Sequence, residues 1–267
     1  MSDSNLQDQI EAARGYESLL VPALFGEWAV KVADAANIKQ GQRVLDVACG
    51  TGVLSRELAT RTTSSGGVTG LDPNCGMLAL AKERSPAIDW QEGVAESLPF
   101  TDESFDAVVS QFGLMFFVDR EKAIREMLRV LSPGGRMVVA VWDSLSNIPA
   151  YATTVALLEE LAGKEAANAL RAPYALGDSR ELSALFAAAG ATSVSIATHS
   201  GKARFPSIAV MVEADLRGWL PVMGIELSEQ KIAQILDRAE EALDSYTTRD
   251  GSVVFESPAH IIEVIKE

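Results

Sequence analysis

The segment Val44–Leu45–Asp46–Val47–Ala48–Cys49–Gly50–Thr51–Gly52 constrains this chain more than any other. It reads as a buried strand, a sharp glycine turn and the start of a helix. Glycine has no Cβ and a free φ, so Gly50 and Gly52 let backbone approach a ligand closely. Val68–Thr69–Gly70–Leu71–Asp72 then reads as a second strand ending on a carboxylate. In an open parallel sheet, ligands bind beyond the carboxyl ends of the strands. Asp72 there can accept hydrogen bonds from two ribose hydroxyls, so a nucleotide-bearing ligand fits between the two strand ends.

The surrounding pattern supports such a sheet. Residues 6–36 read as helical, with Pro22 breaking them into two helices. Arg43–Val47 is a strand, Leu54–Arg61 a helix, Ser64–Gly67 a loop, Val68–Leu71 a strand and Met77–Arg84 a helix. Ile88–Glu92 and Phe105–Ser110 are further strands, and Glu121–Val130 is an amphipathic helix. Pro133–Gly134–Gly135 turns the chain into a fifth strand, Arg136–Trp142. Alternation of this kind over roughly 100 residues predicts a doubly wound, parallel α/β sheet. Beyond Trp142 the pattern is helical at 150–177, with Asp178 capping a helix over Glu181–Ala189. Thr192–His199 reads as a strand, 206–219 and 229–245 as helices, and Gly251–Phe255 and Ile261–Ile265 as late strand material.

Composition narrows the function. The net charge of −14 over 267 residues repels phosphate backbones, so no nucleic-acid partner is expected. No apolar run is long enough for a transmembrane segment, and Met1–Asn5 lacks the basic start of a secretory signal. Cys49 and Cys75 are too few and too poorly spaced for a zinc site. No metal is expected, and a cytoplasmic location is the simplest reading.

The turn itself discriminates between cofactors. A dinucleotide fingerprint wants a third glycine, where this chain has Ser55. Asp46, just before the turn, would be a poor neighbour for a pyrophosphate. It suits a cofactor with a cationic amino group, such as S-adenosylmethionine. No Gly-Lys-Ser/Thr follows the turn, which excludes a Walker A loop.

Five motifs in order now coincide with one family. They are Val44–Gly52; Gly70–Leu71–Asp72–Pro73–Asn74 with Met77–Leu78; Gly93–Phe100; Phe105–Phe112; and Arg125–Gly135. The chain resembles class I S-adenosylmethionine-dependent methyltransferases of the small-molecule group that includes the ubiquinone/menaquinone-biosynthesis enzymes. The resemblance covers residues 40–142. It implies a Rossmann-like methyltransferase fold, a seven-stranded, mostly parallel sheet with a helical cap, and S-adenosyl-L-homocysteine as product. It divides the chain into a helical lid (1–40), a cofactor-binding core (41–142), a helical cap insertion (143–177) and the remaining sheet with further cap helices (178–267).

Carried over by motif, Asp46, Ala48, Gly50, Thr51 and Gly52 surround the methionine part. Asp72 and Pro73 lie at the ribose, Met77 packs on the adenine, and Gly93, Val94 and Ala95 pass beside the base. Gln111 and Phe112 close the methionine side. One departure stands out: the family usually has Asp where Val94 stands, and valine cannot accept a bond from the adenine amino group. Glu96 is assigned to a solvent or helix-cap contact.

The implied acceptor is a small aromatic, quinone-like or polyketide molecule, methylated at oxygen or carbon. No catalytic residue is identified; His199 and Tyr16 are weak candidates, with His260 behind them. Trp142, Asp143, Tyr151, Arg171, Tyr174 and Arg204 are possible acceptor-side residues. A monomer and a homodimer are both compatible with the sequence. Two alternatives remain: an NAD-dependent oxidoreductase, which lacks its Tyr-x-x-x-Lys constellation here, and a non-catalytic cofactor-binding protein of the same fold.

Overall fold

The computed structural model describes residues 3–62 and 66–267, so Met1, Ser2, Ser64 and Ser65 of the segments read above lie outside the described residues. Helix α1 (Asp3–Gly15) runs into ten π-helical residues, Tyr16–Phe25, and then into α2 (Gly26–Ala36). The break expected at Pro22 does not occur. Gly26 N–H reaches back five residues to the Val21 carbonyl, and this wider turn gives the pyrrolidine ring room that an α-helix lacks. α2 then buries Trp28, Ala29, Val32, Ala33 and Ala36.

The alternating core follows in order: β1 (Arg43–Val47), α3 (Val53–Ala59), β2 (Gly67–Asp72), α4 (Cys75–Arg84), β3 (Asp89–Glu92), β4 (Phe105–Gln111), α5 (Arg120–Val130) and β5 (Leu131–Trp142). The Asn74 and Asp119 side chains cap α4 and α5 by accepting from the N–H groups of Met77 and Lys122. The Pro133–Gly135 turn is corrected. The strand already begins at Leu131, and this segment is a bulge across which the pairing jumps from Phe105↔Leu131 to Ala107↔Arg136. Gly134 N–H bonds to Lys266 O (2.7 Å), and Lys266 N–H bonds to Gly135 O (3.0 Å). The chain end thus holds the segment in the sheet.

The later elements are α6 (Pro149–Ala162), α7 (Lys164–Arg171), α8 (Ser179–Ala188), β6 (Val194–His199), β7 (Lys202–Phe205), α9 (Ile208–Glu213), a second π-helical stretch (Ala214–Trp219), α10 (Leu220–Val222), α11 (Glu229–Leu243), β8 (Val253–Glu256) and β9 (Ala259–Ile265). Asp178 caps α8 through the Arg180 and Glu181 N–H groups. The sheet has seven strands in the order β3-β2-β1-β4-β5-β9-β6. Only β9 runs antiparallel to its neighbours. The seven-stranded, mostly parallel architecture is therefore the one the sequence implies. A separate β7–β8 ribbon is not legible in it.

Of three apolar clusters in the interior, the smallest is Cys49, Leu78, Ala81 and Trp90, and two are large. One joins the sheet to α2, α3, α5 and α8. The other is built from α6, α7, α9, α11 and the β7–β8 ribbon. Leu24 and Tyr174 pack against both, marking the seam between them. Among the described residues, no helix is long and apolar enough to cross a membrane.

Candidate active site

The strand order reverses between β1 and β4, and the site lies beyond the carboxyl ends of these strands and of β2 and β3. The chain leaves β1 through Ala48, Gly50 and Gly52, whose φ values of 59°, 55° and 86° are all left-handed. At Gly52 a Cβ would lie 2.4 Å from the Trp90 ring, so strand packing demands glycine there. At Gly50 a Cβ would meet open space, on the side where a ligand can approach.

Two carboxylates face this turn. Asp72 holds the loops together: Oδ2 accepts from Gly50 N–H and Oδ1 from Asn74 N–H, each at 2.8 Å. Each oxygen keeps a further lone pair. Burial raises the Asp72 pKa, and the two backbone donors pull it part of the way back. Asp46 is fully buried. Its Oδ2 accepts from Ser55 Oγ at 2.6 Å, and its Oδ1 has no partner. Burial, with the Asp72 charge adding to it and the Ser55 bond opposing, pushes its pKa up to about 7.

Ser110 Oγ and Gln111 Oε1, at the end of β4, are also buried without a partner. Two of the five such atoms among the described residues, Asp46 Oδ1 and Gln111 Oε1, therefore share one face of the sheet where β1 and β4 end. Buried polar atoms are normally hydrogen-bonded, so this pair marks a ligand-facing surface. The acceptor atoms suit an ammonium group, and the paired Asp72 oxygens suit a diol. The donor set thus fits S-adenosylmethionine.

The first π-helical stretch packs on the turn. Glu17, in the first π-helical stretch, is buried; its carboxylate accepts from Thr51 Oγ1, and it pairs with Arg56 at 2.7 Å and Arg84 at 3.2 Å. Tyr16 stacks on Phe25 at 5.2 Å. Burial, then the charges of Asp72 and Glu17, raise the Tyr16 pKa far above the ordinary phenol range. Gln111 Nε2 donates to Phe25 O at 3.1 Å. Phe112 stacks on Trp142 at 3.8 Å and meets Trp28 edge-on at 5.8 Å, so its ring is part of the core.

The remaining candidate site residues differ in exposure. Met77 is half-buried in the first turn of α4, Pro73 is exposed, and Ala95 is buried. Gly93 N–H bonds to Asp72 O at 3.3 Å. Val94 is 46% exposed and therefore free to line a base. Glu96 accepts from the Val118 and Asp119 N–H groups just before α5, a cap-like contact.

The histidines are not brought to this turn. His199 is exposed at the end of edge strand β6, four strands from β1, or about 19 Å at ordinary spacing. His260 is buried, with Nε2 2.9 Å from Gly177 O and Nδ1 2.9 Å from Thr198 Oγ1. Both nitrogens are thus occupied by structural contacts. Sequence reasoning missed the Glu17 contact with Thr51 and the Ser55 bond to Asp46. Only Glu17 had a local signal, as an acid beside the apolar run Leu19–Val21.

Comparison with known proteins agrees with the geometry. Residues 45–139 match the model of a methyltransferase domain family. A demethylmenaquinone methyltransferase of Desulfitobacterium hafniense is 36% identical over 62% of this chain and 72% of its own length. Another, from Paenarthrobacter aurescens, is 42% identical over 48% of this chain and 55% of its own. The chain spans about half the length of several curated relatives it matches (46–55%). The same fold is seen in phosphoethanolamine N-methyltransferase 2 of Haemonchus contortus, solved with S-adenosyl-L-methionine. It has a TM-score of 0.60 and 17% identity, over 95% of this chain and 56% of that one. The chain belongs to the class I S-adenosylmethionine-dependent methyltransferases, in the branch related to the ubiquinone/menaquinone-biosynthesis enzymes.

Proposed function

We propose that the protein transfers a methyl group from S-adenosylmethionine to a small, hydroxylated, quinone-like aromatic acceptor. The observation that carries this reading is the pair of partnerless acceptor atoms, Asp46 Oδ1 and Gln111 Oε1, on the sheet face beside the Asp72 carboxylate. When bound, the cofactor supplies an electrophilic methyl on a sulfonium. The chain's own task is then to bind, orient and exclude water, for which no protein nucleophile is needed.

Asp46 Oδ1 and Gln111 Oε1 receive the ammonium end, and its charge relieves the cost of the buried Asp46 carboxylate. Asp72 takes the ribose hydroxyls while Gly50 and Asn74 hold its orientation. Met77, Val94 and Ala95 line the adenine by apolar contact, with the exocyclic amine left to backbone. Residues 1–40 act as the lid, latched by Glu17, and residues 143–177 with the later helices wall the acceptor side of the 41–142 core. A cytoplasmic location fits two free thiols, one of them Cys49 within the glycine turn.

The two demethylmenaquinone methyltransferases named above support a quinol-type acceptor. The test is incubation with methyl-labelled S-adenosylmethionine and a reduced, short-tailed demethylmenaquinone. Label should appear in the quinol; label confined to the cofactor across this and a panel of phenols would refute the assignment.

A further inference from the structure

Asp215 lies in the second π-helical stretch, Ala214–Trp219, where Leu220 N–H reaches back five residues to the Asp215 carbonyl. Its side chain sits in the apolar interior of the cap, 6% exposed, and Oδ2 has no partner. Among the described residues no cation pairs with it: Arg217 of the same stretch pairs with Glu213 and with Glu229 of α11 at the surface. An unpaired buried carboxylate costs several kcal/mol, and sequences retain one where it meets a ligand.

The placement says which ligand. The two nearby groups whose ionisation its charge opposes are the Tyr151 and Tyr174 phenols. Their rings lie 5.7 Å apart, and Tyr174 stands on the seam between core and cap. The Asp215 stretch contacts the lid stretch Tyr16–Phe25, whose own acid, Glu17, is held by Thr51, Arg56 and Arg84. Trp219 of the same stretch touches Phe116, in the turn that follows Gln111 and Phe112, at 5.2 Å. Asp215 therefore belongs to the cap side of the junction where lid, cap and the β4 turn converge. Two phenol rings beside one unpaired acceptor suit an aromatic hydroxyl.

We propose that Asp215, flanked by Tyr151 and Tyr174, is the polar anchor of the acceptor, taking a phenolic or quinol hydroxyl through its unpartnered Oδ2. This rests on the methyltransferase reading and adds the group that orients the acceptor. As the hydroxyl ionises, its O–H bond breaks, an Oδ2–H bond forms, and the electron pair stays on the acceptor oxygen. That oxygen, or the ring carbon conjugated to it, becomes the richer nucleophile. Burial pushes the Asp215 pKa up to about 8, so the proton-accepting form grows as pH rises through that value.

The experiment compares the parent with Asp215→Asn and Asp215→Leu. Calorimetry reads binding of 1,4-naphthohydroquinone, kept reduced, and of naphthalene as the hydroxyl-free control. Titrations are run with and without S-adenosylhomocysteine. Unfolding midpoints and S-adenosylhomocysteine affinity are measured alongside. The proposal expects Asp215→Leu to bind the hydroquinone at least tenfold more weakly and naphthalene equally well. Cofactor-product affinity should be unchanged and thermal stability equal or higher, because an unpaired charge has gone. Asp215→Asn, which still offers an acceptor, should fall between. The proposal is overturned if the parent does not prefer the hydroquinone, if both probes lose affinity equally, or if both variants are destabilised. Loss of S-adenosylhomocysteine binding by the parent itself, with the Asp215-dependent preference intact, would instead overturn the cofactor reading alone.

Discussion

Replacing Asp46 by Asn should stabilise the ligand-free protein while destroying its cofactor affinity. With a pKa near 7 against an ordinary 3.8, ionising Asp46 costs about 4 kcal/mol more in the folded than in the unfolded chain. The sign follows from the direction of the shift. A raised carboxyl pKa means that the folded state binds the proton more tightly. The penalty is therefore absent below the unfolded pKa, grows as pH rises, and is complete above about 7. Asn keeps an oxygen for the Ser55 hydroxyl but turns an NH₂ group toward the orphaned Oδ1 position, a mismatch worth about 1–2 kcal/mol. The net gain is about 2 kcal/mol at pH 8, shrinking to near zero at pH 5. Urea titrations of parent and variant at both pH values measure it as a midpoint shift at constant slope. Affinity for S-adenosylhomocysteine should fall about 100-fold, through loss of a charge-assisted contact to the ammonium. An Asn variant destabilised equally at pH 5 and pH 8 would refute the reasoning, since it would mean that the Asp46 carboxylate is satisfied within the fold.

Other outcomes follow from the same contacts. Asp72→Ala removes the ribose acceptor and leaves Gly50 N–H without its bond; calorimetry on the folded variant should show a loss of 100-fold or more, roughly two charged hydrogen bonds. Val94→Asp restores a base-side acceptor at a 46% exposed position; S-adenosylhomocysteine affinity should hold or tighten, and a large drop would show an adenine pocket built differently. Glu17→Ala releases Thr51, Arg56 and Arg84. The arginines are partly exposed, so the loss should be about 1–2 kcal/mol; amide exchange across residues 6–25 should accelerate, while that of β1 and β4 stays slow.

What the sequence made legible is what local chemistry determines. The glycine turn between β1 and α3 needs left-handed backbone, and the acid ending β2 sits next to it because β1 and β2 pair from Arg43↔Gly67 to Val47↔Leu71. Both facts are written within thirty residues of chain. The Tyr16–Phe25 stretch was less legible, because Pro22 signals a break and only a π-helical stretch absorbs it without one. The bulge at Pro133–Gly135 depends on pairing with Lys266, at the far end of the chain. The β7–β8 ribbon has four residues per strand, too few for alternation to show. Asp215 reads in sequence as one more charge in an acidic chain; only packing of the cap around it reveals that it is buried and alone.

The central claim is the identity of the cofactor, and the measurement that tests it most directly is calorimetric titration of the parent protein with S-adenosylhomocysteine and, separately, with NADH. The account predicts micromolar binding of the first and none of the second. Binding of NADH alone, or of neither ligand, would contradict it.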